Sequence, residues 1–516
     1  MLRPFLISLS LLPLFSWSQI TYSEHIAPII YNKCTPCHRP GEIGPMPFTN
    51  YNEVVAYGNM ISFSTQAGIM PPWQPDKSYS TLLDERGLTA QEITDIVGWV
   101  NNGMPRGNIS LEPPLPNFPT GSQLGQPDLV LSMAQAYEHQ GNNQDMYRVF
   151  VLPVNLPADK SVKAIEFRPG NKKIVHHAIL GLDTSGQGRI RDNNAPGYGY
   201  TSFSGFGFTP VEDNWYGWAP GTTPRYYPSN IGKRLFRNAD VLVQMHYAPY
   251  PNPEIDSSSV NIFFDNNNQV TRHEIIAPLS PINLMNGPFI IPANTIRSFK
   301  GRLHIPAAVS LISVFPHMHL LGSSWKIYAV RPGNDTVNLI HIPEWDFNWQ
   351  GFYHFPRLVK LPANSWIYAE ATFDNTTNNP YNPNNPPINV SWGERTTDEM
   401  FLTYFSYVPY QAGDENIAIS TPNELAIQRM KTKIYPVYPN PSSGEVKLAF
   451  MLAESTNLSI DLFDTNGKKV KNLLSGYSYL PGQHYMNFTT DGLAPGVYLI
   501  QFNTGKEQLH QRLILH

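Results

Sequence analysis

The sequence has little charge and almost no cysteine. Charged residues make up 15% of the 516 residues, and the formal net charge is −4, which argues against a strongly basic nucleic-acid-binding protein. The two cysteines permit at most one disulfide. Beyond residues 1–18 there is no apolar run long enough to span a bilayer, so we expect no transmembrane segment in the mature protein.

Turn-forming and aromatic residues are abundant instead. The chain has 48 Pro, 36 Gly and 12% aromatic residues, a composition that favours a mainly β fold with many turns. A hydrophobic content of 41% suffices for sizeable cores and argues against intrinsic disorder. At roughly 150 residues per domain, the length suggests about three or four domains.

Residues 1–18 have the features of a secretory signal peptide. Arg3 supplies the positive charge, Leu6–Phe15 form an apolar core, and Ser16 and Ser18 provide the small residues of a cleavage site. The alternative is an uncleaved membrane anchor, but about ten apolar residues are too few to cross a bilayer as a helix. We therefore predict an exported protein.

The remaining sequence divides into four segments. Residues 20–110 are compatible with helices, and residues 111–125 contain four prolines, which predict a semi-rigid linker. Residues 126–430 and 434–516 contain short alternating apolar runs between Pro, Gly and Asn turns, a pattern that indicates antiparallel strands. We expect a small all-α domain, then β-sandwiches, then an Ig-like β-sandwich.

Cys34, Cys37 and His38 form a Cys-x-x-Cys-His motif, the attachment motif of a c-type haem. Two thiols about one turn apart can add to the two vinyl groups of haem, and His38 then lies under the iron as its proximal ligand. A redox motif would be expected in a βαβ context, and a zinc site would need further ligands at matching spacing. The motif therefore predicts one covalent haem c.

A methionine is the expected sixth haem ligand, because a thioether suits an electron-transfer haem. Met70 is favoured, since it lies in a stiff, proline-bound loop, and Met104 is the second choice. Met46 and Met60 are further candidates. The segment resembles the cytochrome c modules of bacterial multidomain oxidases.

Five histidines form dense patterns. His176 and His177 are adjacent, His246 lies in a Gln-x-His-Tyr context, and His317 and His319 are two residues apart. In a strand, residues two apart face the same side, as two ligands of one metal require, whereas adjacent residues need a bend or a strand end. Imidazole suits copper, zinc and iron, and an added thioether favours copper. The solitary histidines are expected to be structural: His139, His273, His304, His341 and His354.

This order of motifs resembles the copper type II, ascorbate-dependent monooxygenases, a family that includes peptidylglycine α-hydroxylating and dopamine β-monooxygenases. The likeness covers about residues 126–425 and includes Trp215–Gly221 and a Glu-Met pair that contains Met400. The resemblance implies two tandem β-sandwich copper domains, residues 126–285 and 286–430, which face a solvent-filled cleft.

The resemblance also implies a role for each ligand. The electron-donating copper would be held by His176, His177 and His246. The oxygen-binding copper would be held by the catalytic residues His317, His319 and Met400. Each copper would deliver one electron, one oxygen atom would enter a C–H bond of the substrate, and the other would leave as water. Ascorbate, a redox protein or the fused haem would supply the electrons.

Some features depart from the family. The disulfides of the animal enzymes are missing, since both cysteines belong to the haem motif. Phe315 stands where the peptide-amidating enzyme has a carboxylate-binding arginine, which disfavours peptides that end in glycine as substrates. Tyr404 matches a substrate-pocket tyrosine but would also suit a core. Asp346 and Trp349 would line the cleft or belong to a packed strand.

We therefore predict an exported copper-dependent monooxygenase, an oxidoreductase that hydroxylates a C–H bond of a small-molecule or peptide-like substrate with O2. The alternative is a haem and copper protein for electron transfer or copper binding, without hydroxylase activity. Met400 favours the enzyme, because a storage or relay protein has no need for an open site with two histidines and one methionine.

The final segment carries three further motifs. They are the turn-rich Tyr438–Gly444, the dipeptide Asn466-Gly467 between apolar runs, which predicts a hairpin, and Leu493–Ile500. Together they resemble the C-terminal sorting domain of the type IX secretion system of Bacteroidetes. The resemblance implies recognition by secretion machinery and export to the medium or the cell surface. A carbohydrate-binding or spacer β-sandwich is the alternative.

Overall fold

The computed structural model describes residues 19–116, 121–203, 205–228, 230–419, 432–452, 456–479 and 482–516. The predicted signal peptide and the middle of the predicted linker lie outside these residues. Contacts divide the chain into two compact units, Met1–Ile419 and Ser420–His516. The chain is mainly β, as predicted. No helix in the described part of the chain is long and apolar enough to cross a membrane.

Regular structure in residues 19–116 is helical. A π-helical turn and a 3-10 turn accompany the α-helices: Tyr22–Ile26 (π), Ala27–Lys33 (α1), Tyr51–Ala56 (α2), Gly58–Gln66 (α3), Ala90–Asn101 (α4) and Ile109–Leu111 (3-10). α4 begins at a capping box in which the Thr89 side chain accepts from the Glu92 N–H and the Glu92 carboxylate accepts from the Thr89 N–H. Ile96 and Trp99 of α4 are buried in the core of this segment.

A first β-sandwich follows. Its strands are Leu129–Ser132 (β1), Tyr137–His139 (β2), Met146–Pro153 (β3), Lys160–Arg168 (β4), Val175–Asp183 (β5), Tyr200–Thr201 (β6), Glu212–Trp218 (β7), Ile231–Leu235 (β8), Asp240–Tyr247 (β9), Glu254–Asp256 (β10), Ser259–Phe264 (β11) and Arg272–His273 (β12), with one helix, Gln187–Asn194 (α5). The sheets have the orders β1-β11-β4-β8-β12 and β6-β3-β9-β5-β7, and β2 pairs with β10. β9 is buried along its whole length between β3 and β5, so its polar residues, His246 among them, lie in the interior.

A second β-sandwich completes the first unit. Its strands are Ile275–Leu279 (β13), Ile290–Ile291 (β14), Thr295–Ile305 (β15), Val309–His317 (β16), Gly322–Arg331 (β17), Asp335–Ile342 (β18), Tyr353–Leu361 (β19), Ser365–Asn375 (β20), Val390–Ser391 (β21) and Leu402–Pro409 (β22). Short 3-10 turns lie at Pro281–Asn283 and Asp414–Asn416. The sheets have the orders β13-β22-β16-β19 and β15-β20-β17-β18, and β14 pairs with β21. Because β13 already pairs with β22, the change of sandwich falls between β12 and β13, before the predicted boundary at residue 285.

Buried polar contacts join the two sandwiches. The Arg272 guanidinium donates to both carboxylate oxygens of Asp414 at 2.7 Å, and both side chains are buried. Lys233 Nζ lies 3.3 Å from the Glu274 carboxylate, which also accepts from the Ser406 hydroxyl. Removing one partner of a buried ion pair leaves an uncompensated charge and is strongly destabilising. We call this group of contacts the seam.

Residues 73–86, between α3 and α4, cross from the helical segment to the sandwiches, and we call them the strap. Trp73 and Leu82 pack with the core of the second sandwich, and Leu82 is buried there. The Leu83 N–H donates to the His354 carbonyl at 2.8 Å. The helical segment is therefore attached to the β-sandwiches by packing as well as by the predicted linker.

The second unit is a separate β structure. Its strands are Lys433–Ile434 (β23), Glu445–Leu452 (β24), Thr456–Asp464 (β25), Lys469–Tyr479 (β26), Gly482–Thr489 (β27), Gly496–Asn503 (β28) and Gln508–Leu515 (β29). They form sheets of order β23-β24-β27 and β26-β25-β28-β29. β25 and β26 pair across Asn466-Gly467, where Gly467 has a φ of +77°, so the predicted hairpin is confirmed.

The packing of the strap predicts the effect of a core substitution. Leu82→Ala should lower the free energy of unfolding of the first unit by about 2 to 4 kcal/mol, because it leaves a cavity in the core of the second sandwich. Chemical denaturation of the full chain measures this, and Leu115→Ala, at a side chain that is 42% exposed, is the control. Equal effects of the two substitutions would show that the strap is not packed as described.

Candidate metal centres

Three imidazoles meet at the end of the second sheet of the first sandwich. His176 and His177 lie on β5, and His177 is directly opposite His246 on β9. The register shifts between Val175 and His177, and this bulge brings His176 to its neighbours, as adjacent ligands require. His177 Nδ1 lies 3.2 Å from His176 Nδ1 and 3.4 Å from His246 Nδ1. One ligand atom of each residue falls within a 4.8 Å cluster, which fits a three-imidazole metal site.

Asp145 orients His246. Its carboxylate lies 2.7 Å from His246 Nε2 and accepts from the Thr396 hydroxyl at 2.7 Å, while Tyr147 stacks on the His246 ring at 4.3 Å. Burial acts to raise the pKa of Asp145, but the hydrogen bonds from His246 and Thr396 outweigh it and hold that pKa below its ordinary value. A carboxylate on one ring nitrogen leaves the other, Nδ1, to bind a metal.

The second set lies where β16 ends. His317 is the last residue of β16 and His319 follows it, with 5.1 Å between the ring centroids. Gln350 Oε1 is hydrogen-bonded to His317 Nδ1, and the Asp398 carbonyl lies 3.0 Å from His319 Nδ1. Both rings therefore have Nε2 left for a metal, in contrast to the Nδ1 atoms of the first set.

Glu399 connects the two segments that carry His319 and Met400. Its buried carboxylate accepts the backbone N–H groups of His319 at 3.0 Å, Leu321 at 2.8 Å and Met400 at 3.0 Å. Burial raises the pKa of Glu399 to about 8, although these N–H groups act in the opposite direction. The Met400 side chain is itself buried, and the Glu399 carboxylate holds the backbone of this residue.

A cavity of about 540 Å³ lies between the two sandwiches. Five of the six predicted copper ligands line it, namely His176, His177, His317, His319 and Met400. The ring centroids of His177 and His317 are 6.4 Å apart, so the two sets approach each other closely. Burial lowers the pKa of His176 to about 3 and that of His317 to about 4, which keeps these rings in the neutral form that binds metals.

The wall of the cavity is rich in aromatic side chains, and apart from its histidines the charged side chains among the described residues are all acidic. The aromatic residues include Phe206, Trp218, Phe315, Phe347, Phe352 and Tyr404. Phe315 stacks on Phe352 with 4.8 Å between the centroids. Two carboxylates, Asp213 and Glu394, line the cavity, and no lysine or arginine does so among the residues that the structure describes.

The haem motif follows α1. Cys34 and Cys37 are free thiols, and burial raises the pKa of Cys34 to about 12. His38 Nδ1 lies 3.0 Å from the Met46 carbonyl, and Phe48 stacks on the ring at 4.5 Å. Backbone hydrogen bonding at Nδ1 leaves Nε2 of His38 to bind iron, as in other metal-ligating histidines. The donor set therefore fits a covalent haem.

The four candidate methionines occupy different positions. Met104 packs with the helical core so tightly that a Cβ added to Gly58 would lie 2.4 Å from its sulfur. Met60 is exposed, and Met46 contributes its carbonyl to His38. Met70 is half-buried, with its N–H bonded to the Ser64 carbonyl at 3.1 Å. Met70 as the sixth ligand stays a prediction.

Three supporting residues were missed by the sequence analysis: Asp145, Gln350 and Glu399. Glu399 is the neighbour of Met400 and was visible in the sequence, but its burial and its hydrogen bonds were not predicted. Asp145 and Gln350 follow no local pattern, since their partners lie far away in the sequence. Of the residues left open, Tyr404 lines the cavity, whereas Asp346 bonds to the Asn348 side chain at 3.0 Å.

Comparison with known proteins gives one family match. Residues 436–516 match the model of the secretion system C-terminal sorting domain, which confirms the prediction for this unit. The protein is therefore exported and is either secreted or attached to the cell surface. A search of curated proteins finds no match.

Solved structures show only weak similarity. They include a β-glucuronidase of Faecalibacterium prausnitzii (9% identity, 47% of this chain and 46% of that chain, TM-score 0.12). A β-D-mannosidase of Dictyoglomus thermophilum has 11% identity, 43% and 29% coverage and a TM-score of 0.13. PNGF-II has 9% identity, 55% and 65% coverage and a TM-score of 0.22. The chain spans less than two thirds of each of these structures, and scores this low carry no argument about fold or function.

The role of Asp145 can be tested by metal binding. Asp145→Ala should weaken copper binding at the first set by about 10- to 100-fold, because His246 loses the partner that orients it, and it should weaken the second set much less, since only the Thr396 contact is lost there. Titration with a competing chelator measures both affinities. Asp213→Ala removes another carboxylate of the cavity, one that accepts from the Asn214 amide, and serves as the control. Equal weakening at both sets would contradict this role.

Proposed function

We propose that this protein is an exported copper-dependent monooxygenase that hydroxylates a C–H bond of its substrate with O2. The observation that carries the proposal is the pair of ligand sets at one substrate-sized cavity, with 6.4 Å between the nearest rings. Electrons would come through the c-type haem, from ascorbate or from a redox protein. The order of the ligands along the chain, described above, supports the same conclusion.

The two sets differ in the chemistry that they support. Copper held at both sets would supply the one-electron steps that reduce O2. His176, His177 and His246 offer three imidazoles, which tolerate both copper oxidation states, whereas the thioether of Met400 favours Cu(I) at the second set. The second set is therefore suited to O2 and the first to electron supply.

The chain's own residues shape the reaction space. Aromatic side chains such as Phe315 and Phe352 exclude water and give an apolar substrate a binding surface. Gln350 and the Asp398 carbonyl fix the rings of the second set by their contacts at Nδ1. Residues fixed by such contacts need little reorganisation during reaction.

The alternative function is copper binding or electron transfer without hydroxylation. A relay needs no space for a substrate, whereas a cavity of about 540 Å³ lies within the range of small-molecule sites. The cavity favours the enzyme.

Two substitutions test the division of labour. Met400→Ala should retain copper at the first set, weaken Cu(I) binding at the second and abolish product formation, because the soft ligand is lost. His246→Ala should spare the second set and slow the electron supply. Oxygen uptake, measured with mass analysis of the product under ¹⁸O2, separates the two effects. Identical behaviour of the two variants towards oxygen, or wild-type protein that forms no hydroxylated product from any apolar compound tested, would contradict the proposal.

The charge of the cavity predicts substrate preference. Apolar carboxylates should be turned over with a kcat/KM at least about tenfold below that of their neutral amides, because Asp213 and Glu394 repel an anion and no lysine or arginine among the described residues lines the wall. Kinetics on matched acid and amide pairs measure the ratio. Phe315→Arg should reduce the difference in kcat/KM between the amides and the acids, and Phe315→Leu is the uncharged control. A wild-type preference for the acids would show that the charge of the cavity does not select substrates.

A further inference from the structure

The loop that follows the haem motif contacts the turn that precedes β5. Lys172 Nζ donates to the Gly41 carbonyl at 2.7 Å and forms an ion pair with Glu42. Glu42 is also paired with Arg39, at 2.8 Å. The side chains of Lys172 and Glu42 are only 19% and 17% exposed, so the ion pair is largely shielded from solvent. A shielded pair holds its geometry better than an exposed one.

Backbone hydrogen bonds hold both sides of this contact. On the haem side, the Gly44 N–H donates to the Cys37 carbonyl at 2.9 Å and closes the loop that presents Glu42. On the copper side, the Asn171 N–H donates to the Asp256 carboxylate at 2.8 Å, next to Lys172. The contact therefore joins two structured turns.

In the sequence, the contact also lies close to the haem motif and to the first copper set. Glu42 is four residues after His38, and Lys172 is four residues before His176. Four residues span at most roughly 14 Å even when fully extended. The Glu42–Lys172 pair therefore bridges a short path between the haem motif and the first copper set.

Contacts of the strap also hold the helical segment against the first sandwich. Asp84 forms an ion pair with Arg225, whose side chain is buried, and Arg86 donates to the Gly221 carbonyl. Gly221 lies shortly after Trp218, a residue of the cavity wall. The helical segment thus contacts the first sandwich at separate points and is held in one orientation.

We infer that the Glu42–Lys172 contact is the electron-transfer junction between the haem and the copper held by His176, His177 and His246. The inference rests on the proposed function for the two metal groups but not on hydroxylation. One electron leaves ferrous haem and reduces one Cu(II) to Cu(I), and no bond forms or breaks. A small one-electron donor or a redox protein returns the haem to the ferrous state.

Anaerobic stopped-flow absorbance tests the junction in the full chain, with reduced haem and Cu(II) loaded. The wild-type haem should reoxidise at a rate independent of protein concentration. Lys172→Glu should slow this step at least about tenfold, since charge reversal breaks a shielded contact. Glu42→Gln, which removes the charge of the other partner, should also slow it. Lys173→Glu is the matched control, because Lys173 is 65% exposed and pairs with Glu254 at 3.0 Å. The charge swap Glu42→Lys with Lys172→Glu should recover part of the rate, because it restores the pair but leaves a lysine beside Arg39.

A second readout needs no copper. In the copper-free protein, hydrogen exchange of residues 39–44 should speed up in Lys172→Glu and return towards wild type in the charge swap. An unchanged rate of haem reoxidation in Lys172→Glu would overturn the junction, as would wild-type haem that stays reduced beside Cu(II). Fast anaerobic reoxidation, in a protein that forms no hydroxylated product when O2 and substrate are then supplied, would instead contradict the monooxygenase and leave the junction standing.

Discussion

The relative position of the two sandwiches is the constraint on which the candidate site depends. Each sandwich supplies one set of ligands, and the cavity exists only between them. The Arg272–Asp414 and Lys233–Glu274 pairs of the seam hold that position, and they do so in buried surroundings where loss of one partner is costly. Asp145 contributes both to ligand orientation and to the position of the sandwiches, since its carboxylate contacts His246 of one sandwich and Thr396 of the other. Ligand orientation and sandwich position are therefore coupled.

Local sequence signals predicted local structure well. The hairpin at Asn466-Gly467 and the irregularity needed at His176 are both present, because each depends on residues only a few positions apart. The sorting unit was recognisable for the same reason. The mainly β class followed from composition and turn spacing, which the strands bear out.

Hydrogen-bond and packing partners that are far apart in the sequence could not be predicted in the same way. Gln350 reaches His317 across 33 positions, and Asp145 reaches Thr396 across 251, so no spacing rule connects them. Leu82 is one apolar residue in a loop, and only the folded second sandwich shows why it is buried. The prolines of residues 111–125 predicted a semi-rigid linker, whereas the strap also holds the helical segment by packing. Polar partners and inter-segment packing arise from tertiary structure, and a single sequence carries little trace of them.

The strap also has a consequence for the order in which the chain assembles. Ser80 in the strap donates to the Leu339 carbonyl at 2.8 Å, a contact between residues 259 positions apart. A chain made from its N-terminus presents the strap long before the second sandwich exists, and contacts of such separation form late in folding. The helical core, which draws only on residues 20–104, can form earlier. During folding there is then a period in which the helical segment has formed but is not yet covered by the β-sandwiches. A covalent modification of the Cys34 and Cys37 thiols would meet the least steric obstruction in that period.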